Sequence, residues 1–281
     1  MASPILPCGC LCPIPIPYKH GISYSKILFG KQTLQEICTQ LNPRREIADE
    51  VAHLDPDLRF ESLEDRQNGW RPAFGQTGSA AGHLHKQEVG HEVGRGDLFL
   101  FFGWFRETTV ENGELKFSRK DVHGRHIIYG WLEVEKVLDV KNQQPSGDLL
   151  FLEQHAHVRF VGVGEKGRNL IYVGSRAGLR AGLFEKYADR LSLTSVEEPR
   201  CVRSKWKLPS IFEPLLLKGH LSYHPKLKGK LEKQPGGIVF RSASIGQEFV
   251  FDGAEYPDPK RHFVDLIKSA ANDKFSCQHS Y

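Results

Sequence analysis

No apolar run in this 281-residue chain is long enough to cross a bilayer. The strongest one, Leu98 to Phe105, is interrupted by Gly103 and followed by Arg106 and Glu107. The N-terminus lacks a basic region ahead of a long apolar core, which argues against a secretory signal and makes the cytoplasm the expected compartment. The six cysteines, Cys8, Cys10, Cys12, Cys38, Cys201 and Cys277, do not have the density of a disulfide framework at this length. Cys8-x-Cys10-x-Cys12 lacks both the wider spacing and the second pair that structural zinc requires, so these read as loop cysteines. Methionine occurs once, and neither an internal repeat nor a low-complexity linker is present, which favours one domain over 1–281.

Glycine and proline are plentiful instead, 27 and 16 residues, and they predict many turns and short elements of an α+β protein. Gly-Asp at 96–97 opens the longest apolar run, which reads as a strand buried on both faces. A second run, His126 to Val137, follows a polar insert with Asn112-Gly113, and the two form the middle of a sheet. Pro13-Ile14-Pro15-Ile16-Pro17 forces an extended segment that can lie only on an edge or across a surface. Thr33 to Leu41 has helical spacing with Thr33 and Glu36 placed as a capping box. Further strands are expected at Asn169 to Gly174, Gly237 to Arg241 and Glu248 to Asp252. Leu179 to Leu191 reads as a short helix or turn, and Asp258 to Ala271 as an amphipathic helix.

Chemistry concentrates in three places. In His53-Leu54-Asp55-Pro56-Asp57, an extended chain would project His53, Asp55 and Asp57 from one face. They could hold a divalent cation, activate a water or bind a sugar hydroxyl; the same letters also suit a turn whose carboxylates cap amides. In Phe74-Gly75-Gln76-Thr77-Gly78, the glycines predict a tight turn feeding a helix start, a seat for phosphate or carboxylate, with His83 on the same helix face as Ser79. The Walker lysine and the dinucleotide glycine spacing are missing, and close packing on the sheet explains the glycines equally. His155 and His157 alternate and could be ligands, yet no third ligand stands near them in sequence.

The third place is Arg200 to Lys233, a basic excursion with nine Lys or Arg against Glu213 and Glu232. Arg203, Lys205, Trp206, Tyr223 and His224 combine phosphate neutralisation with stacking faces, as a single-stranded or flipped nucleotide needs; a solvated lysine-rich loop has the same composition.

Several stretches together carry a resemblance. They are Ser3-Pro4-Ile5-Leu6-Pro7, His53-Leu54-Asp55-Pro56-Asp57, Phe74-Gly75-Gln76-x-Gly78-x-Ala80-x-x-His83-Leu84, and above all Gly96-Asp97-Leu98-Phe99-Leu100-Phe101-Phe102-Gly103-Trp104-Phe105. With Arg203-Ser204-x-Trp206, Leu221-Ser222-Tyr223-His224 and Gly246-Gln247-Glu248-Phe249-Val250, the chain resembles the third of the nucleotide modification-associated domain families over nearly its whole length. The resemblance implies a cytoplasmic bacterial or phage protein linked to modification of nucleotides or DNA bases, without an established reaction or cofactor. Similar proteins carry a first strand ending in a Ser-Arg-Lys-Gly-Phe-Asp-like stretch, and an acidic residue where this chain has Cys8-Gly9. Either the start lies further upstream, or a charged part of the site is gone, which puts catalysis in doubt and leaves folding intact. The strand pair alone is also similar to PUA-like barrels that read modified bases.

The expectation is therefore an α+β protein on a mixed, partly barrel-like, PUA-like sheet with flanking helices, acting on or binding nucleotides or nucleic acid. His53, Asp55, Asp57 and His83 are the candidate catalytic residues, and metal use is left open. Gly75, Gln76, Gly78, Asp97, Arg203, Lys205, Trp206, Tyr223 and His224 are the candidate nucleotide contacts. A non-catalytic reader of modified bases and a structural partner of modification enzymes are the alternatives.

Overall fold

The computed structural model describes residues 1–44, 50–85, 92–159, 167–194, 203–221, 231–242 and 248–272. In chain order the elements are β1 (Ser3–Ile5), β2 (Ile16–Ser23), the short pair β3 (Leu28–Phe29) and β4 (Gln32–Thr33), α1 (Leu34–Leu41), β5 (Val51–His53), β6 (Ala73–Thr77), α2 (Gly78–His85), β7 (Leu98–Glu111), β8 (Glu114–Phe117), β9 (Arg125–Asp139), α3 (Ala156–Arg159), β10 (Arg168–Gly174), β11 (Ala181–Leu183), β12 (Lys205–Leu208), α4 (Glu213–Lys218), β13 (Glu232–Gln234), β14 (Gly237–Arg241) and α5 (Pro257–Asn272). None of the described helices is long and apolar enough to cross a membrane.

The main sheet runs β1-β7-β9-β10-β6, with β8 on β7 and β11 on β9, and it curls into a half-barrel, as an α+β protein with a partly barrel-like sheet requires. It is mixed: β1 lies parallel to β7, whereas the other pairs are antiparallel. The β7–β8 hairpin turns on Asn112 and Gly113, both at positive φ (55° and 81°), the geometry that matches the twist of the flanking strands. The ladder between β7 and β9 shifts register at Phe101/Phe102, where β9 carries Tyr129 as an extra residue. A smaller sheet, β12-β14-β13, packs through Trp206, Phe240 and the α4 residues Leu215 and Leu216.

The Thr33–Glu36 capping box forms as expected and starts α1, whose Leu34, Ile37, Cys38 and Leu41 close a core with Ala52 and Leu115. Cys12 lies in that core, where burial and then the neighbouring Cys38 push its thiol far up and disfavour the thiolate; Cys10 is disulfide-bonded. The terminal helix forms and sets Leu266 and Ile267 against Phe105 and Ile127 of the main sheet.

Four expectations need correction. Within Leu98–Trp104 only Phe101 is buried, because this half of β7 faces a large cavity instead of a second packed layer. Leu179–Leu191 supplies β11 and a single 3₁₀ turn, since the half of β9 that β10 does not reach needs backbone partners of its own. Residues 248–252 form no strand; Phe249 packs on Trp206 and Phe251 on Phe212 without backbone pairing. Gly75 is not in a turn but in the middle of β6, opposite Ile171.

Candidate active site

Asp55 is the centre of the site. It follows β5 in a turn closed over Leu54 by its own N–H donating to His53 O at 2.9 Å, with a cis Asp55–Pro56 peptide next, and the chain does not run extended through Asp57 as the alternating pattern suggested. The Asp55 side chain is only 6% exposed. Its Oδ1 accepts the Gly75 N–H at 2.8 Å and faces His155 Nε2 at 3.5 Å. Its Oδ2 faces His157 Nε2 at 3.4 Å and His53 Nε2 at 3.9 Å. Burial alone would raise this carboxyl, but the two imidazoles of His155 and His157 outweigh it and hold Asp55 well below the usual carboxylate range.

Each of these neighbours is fixed in turn. His53 stands on β5, its ring 5.3 Å from that of Tyr18 on β2 and 4.9 Å from that of His157. His157 comes from α3 and His155 immediately precedes that helix, and the His157 ring lies across β6 where a side chain at Gly75 would collide with it. His157 Nδ1 meets Asn169 Oδ1 at 2.7 Å, and Asn169 Nδ2 donates back to the His157 carbonyl at 2.9 Å. The donor set of His53, Asp55 and His157, with ligand atoms all within 4.8 Å of one another, could hold a metal ion.

Asp55 also belongs to the wall of a cavity of about 1130 Å³. Phe74, Phe99 and Phe101 line it as a set of edge-to-face and stacked rings. Tyr129 shares the lining, its hydroxyl pushed up by burial and by the charge of Asp55. Gln76 Nε2 donates to Glu248 Oε1 at 3.0 Å, while Glu248 Oε2 is buried and makes no hydrogen bond. Burial raises the Glu248 carboxyl, and the Gln76 bond only partly offsets this.

The other expected site residues are placed as follows. Asp57 turns to Arg66, which binds both of its oxygens at 2.6 Å, and to Trp70 Nε1 at 3.3 Å; its backbone pairs with Ala73. Gly78 opens α2 at φ 63° and bridges to Arg168, and half-buried His83 lies on α2. Asp97 lines the cavity and accepts the Gly94 N–H at 2.7 Å. Arg203 lines it too and lies over the Trp104 ring at 5.3 Å. Trp206 is 1% exposed, stacked on His126 at 3.9 Å with Nε1 donating to Ser242, so both its ring and its N–H are used inside the protein. Lys205 is buried with Nζ 3.9 Å from Glu232, and Lys233 reaches Glu213 at 2.6 Å, so part of the basic excursion is internally paired. Tyr223 and His224 lie outside the described residues.

Three contributors are absent from the candidate catalytic and nucleotide-binding residues of the sequence. His155 and His157 had the alternation of ligands, but their partners Asp55 and His53 stand about a hundred residues earlier. Glu248 stands in a stretch that reads as a strand and carries part of the family resemblance, yet nothing in its neighbourhood marks it as a partner of Gln76. No curated protein and no solved structure matches the chain. Residues 1–252, which contain the Asp55 cluster, the cavity strand β7 and Glu248, match the family described as nucleotide modification associated domain 3, and the chain belongs to that family.

Proposed function

We propose that the protein is an enzyme that modifies a nucleotide or nucleobase, taken into the aromatic cavity with its reacting end at the Asp55 cluster. One observation carries the reading: Asp55, a buried carboxylate ringed by three imidazoles, is also part of the cavity wall. Charge set beside a large apolar hollow favours a reactive site over a packed core.

A base has flat apolar faces and polar edges. Phe74, Phe99 and Phe101 supply surfaces for the faces. Gln76 and Glu248 supply an edge, and the unsatisfied Oε2 of Glu248 is a polar atom that a bound base would complete. Arg203 is one of the cations in the cavity wall, with Arg59 and Lys260, toward which a phosphate could turn, and Asp97 lines the same cavity. In this reading His53 acts with Asp55, whereas Asp57 and Trp206 hold the framework. Gly75 serves close approach, and Gly78 and His83 belong to the helix beneath the site.

The test is nucleoside mass spectrometry of DNA and of the free nucleotide pool from cells making the wild-type or the Asp55→Asn protein. An altered nucleoside present with wild type and absent with Asp55→Asn is the expected result. Identical nucleosides from both strains, and from cells without the gene, would overturn the proposal.

A further inference from the structure

We infer that His53 Nε2, Asp55 Oδ2 and His157 Nε2 bind a divalent transition-metal ion of the zinc type. Proton placement leads to this. Asn169 donates its NH2 to the His157 carbonyl, so its amide oxygen must face His157 Nδ1 at 2.7 Å, and Nδ1 must carry the proton. Nε2 is then the ring nitrogen left for Asp55, and it faces that carboxylate at 3.4 Å. A cation shared by the two atoms satisfies both, and His53, Asp55 and His157 bring their ligand atoms within 4.8 Å of one another for it.

The two oxygens of Asp55 divide the work. Oδ1 accepts the Gly75 N–H at 2.8 Å and faces, at 3.5 Å, the Nε2 of His155, whose Nδ1 accepts the His157 N–H and so leaves the ring proton on Nε2. Oδ2 faces the Nε2 atoms of His53 and His157. Bond lengths of about 2.0 to 2.2 Å in a tetrahedral arrangement set neighbouring donors about 3.4 Å apart, which the His157–Asp55 distance meets. His53 is 3.9 Å from Oδ2, a small approach away. Two imidazoles and one carboxylate favour zinc, cobalt or iron over magnesium or calcium, and three protein ligands leave a position open. The Asn169 bond to His157 is the outer support that such histidine ligands have.

The inference deepens the proposed function by naming what the reacting end holds, and it rests on that reading only for the use of the ion. The purified full chain is stripped with a chelator, shown to be folded by circular dichroism, and titrated with cobalt(II) under visible absorption, followed by zinc competition. One cobalt per chain with the intense bands of a tetrahedral nitrogen and oxygen site is expected, displaced by zinc. His53→Gln, on the least buried ligand, and Asp55→Asn should each remove binding in a folded protein, and Asn169→Ala should weaken it by roughly 10- to 100-fold. A folded wild-type protein that binds no cobalt would overturn the inference and make His157–Asp55 an imidazolium–carboxylate pair. Binding unchanged in both ligand variants, or thiolate charge-transfer bands from Cys8, would overturn it as well. Metal bound with no altered nucleoside sustains the site and sinks the nucleotide reading; an altered nucleoside with no metal does the reverse.

Discussion

At Gly75 one backbone position serves two parts of the site, because its N–H holds Asp55 and its missing side chain leaves room for the His157 ring. Gly75→Ala should therefore displace His157 and cost about 1 to 3 kcal/mol, the range of an overpacked site, read by denaturant unfolding and by a shift of the His157 ring resonances. A variant with unchanged stability and unchanged resonances would show that the ring is not pressed against the strand. Residue types alone could mark His53 and Asp55, since a histidine and a carboxylate two apart are candidates wherever they occur. They could not separate Asp55 from Asp57. That difference depends on Arg66 and Trp70, which reach Asp57 only after the intervening loop has folded back.

The segment joining β5 to β6 depends on that loop. Arg66 is 1% exposed at its side chain and binds Asp57 with both terminal nitrogens, while its NH2 also reaches Arg59 O at 3.1 Å. Removing one partner of a buried ion pair strands the other charge, so Arg66→Ala should cost about 3 to 5 kcal/mol. Chemical denaturation checks this, and a loss under 1 kcal/mol would mean that the Asp57 carboxylate finds water. Elements that follow from local chemistry were legible in the sequence: the α1 capping box, the Asn112-Gly113 hairpin, and α5. β11 and the unpaired stretch at 248–252 were not, because each is decided by what a distant strand leaves open. The apolar run of β7 was legible as a strand and misleading about its burial, since an apolar cavity wall and a packed interior have the same composition.

Across the whole molecule, the main sheet meets the small sheet where His126 of β9 stacks on Trp206 of β12 and its Nε2 meets the Arg203 carbonyl at 2.8 Å. Burial, reinforced by the charge of Arg203 and only partly opposed by the carbonyl bond, pushes His126 down to about 4 from 6.5. Between these values the unfolded chain takes up the proton and the folded one does not. Stability should therefore fall as pH drops through that window, by up to about 3 kcal/mol in all. His126→Gln should flatten this part of the stability profile; an equal slope in wild type and variant would place the sensitivity elsewhere. In the sequence the basic excursion suits base platforms and a solvated lysine-rich loop equally. Trp206 instead joins the two sheets, and no local pattern distinguishes a joining tryptophan from an exposed one.

The extra residue at Tyr129 bears on how this protein can change length. Side chains alternate along a strand, so adding or deleting one residue on either side of the irregularity would turn every later side chain of β9 to the opposite face. Ile127 and Ile128 would then trade places with their neighbours relative to the core that Phe105 completes. Insertions are tolerable at the Asn112-Gly113 hairpin tip, whereas β9 is fixed in length to the residue from Arg125 to Asp139.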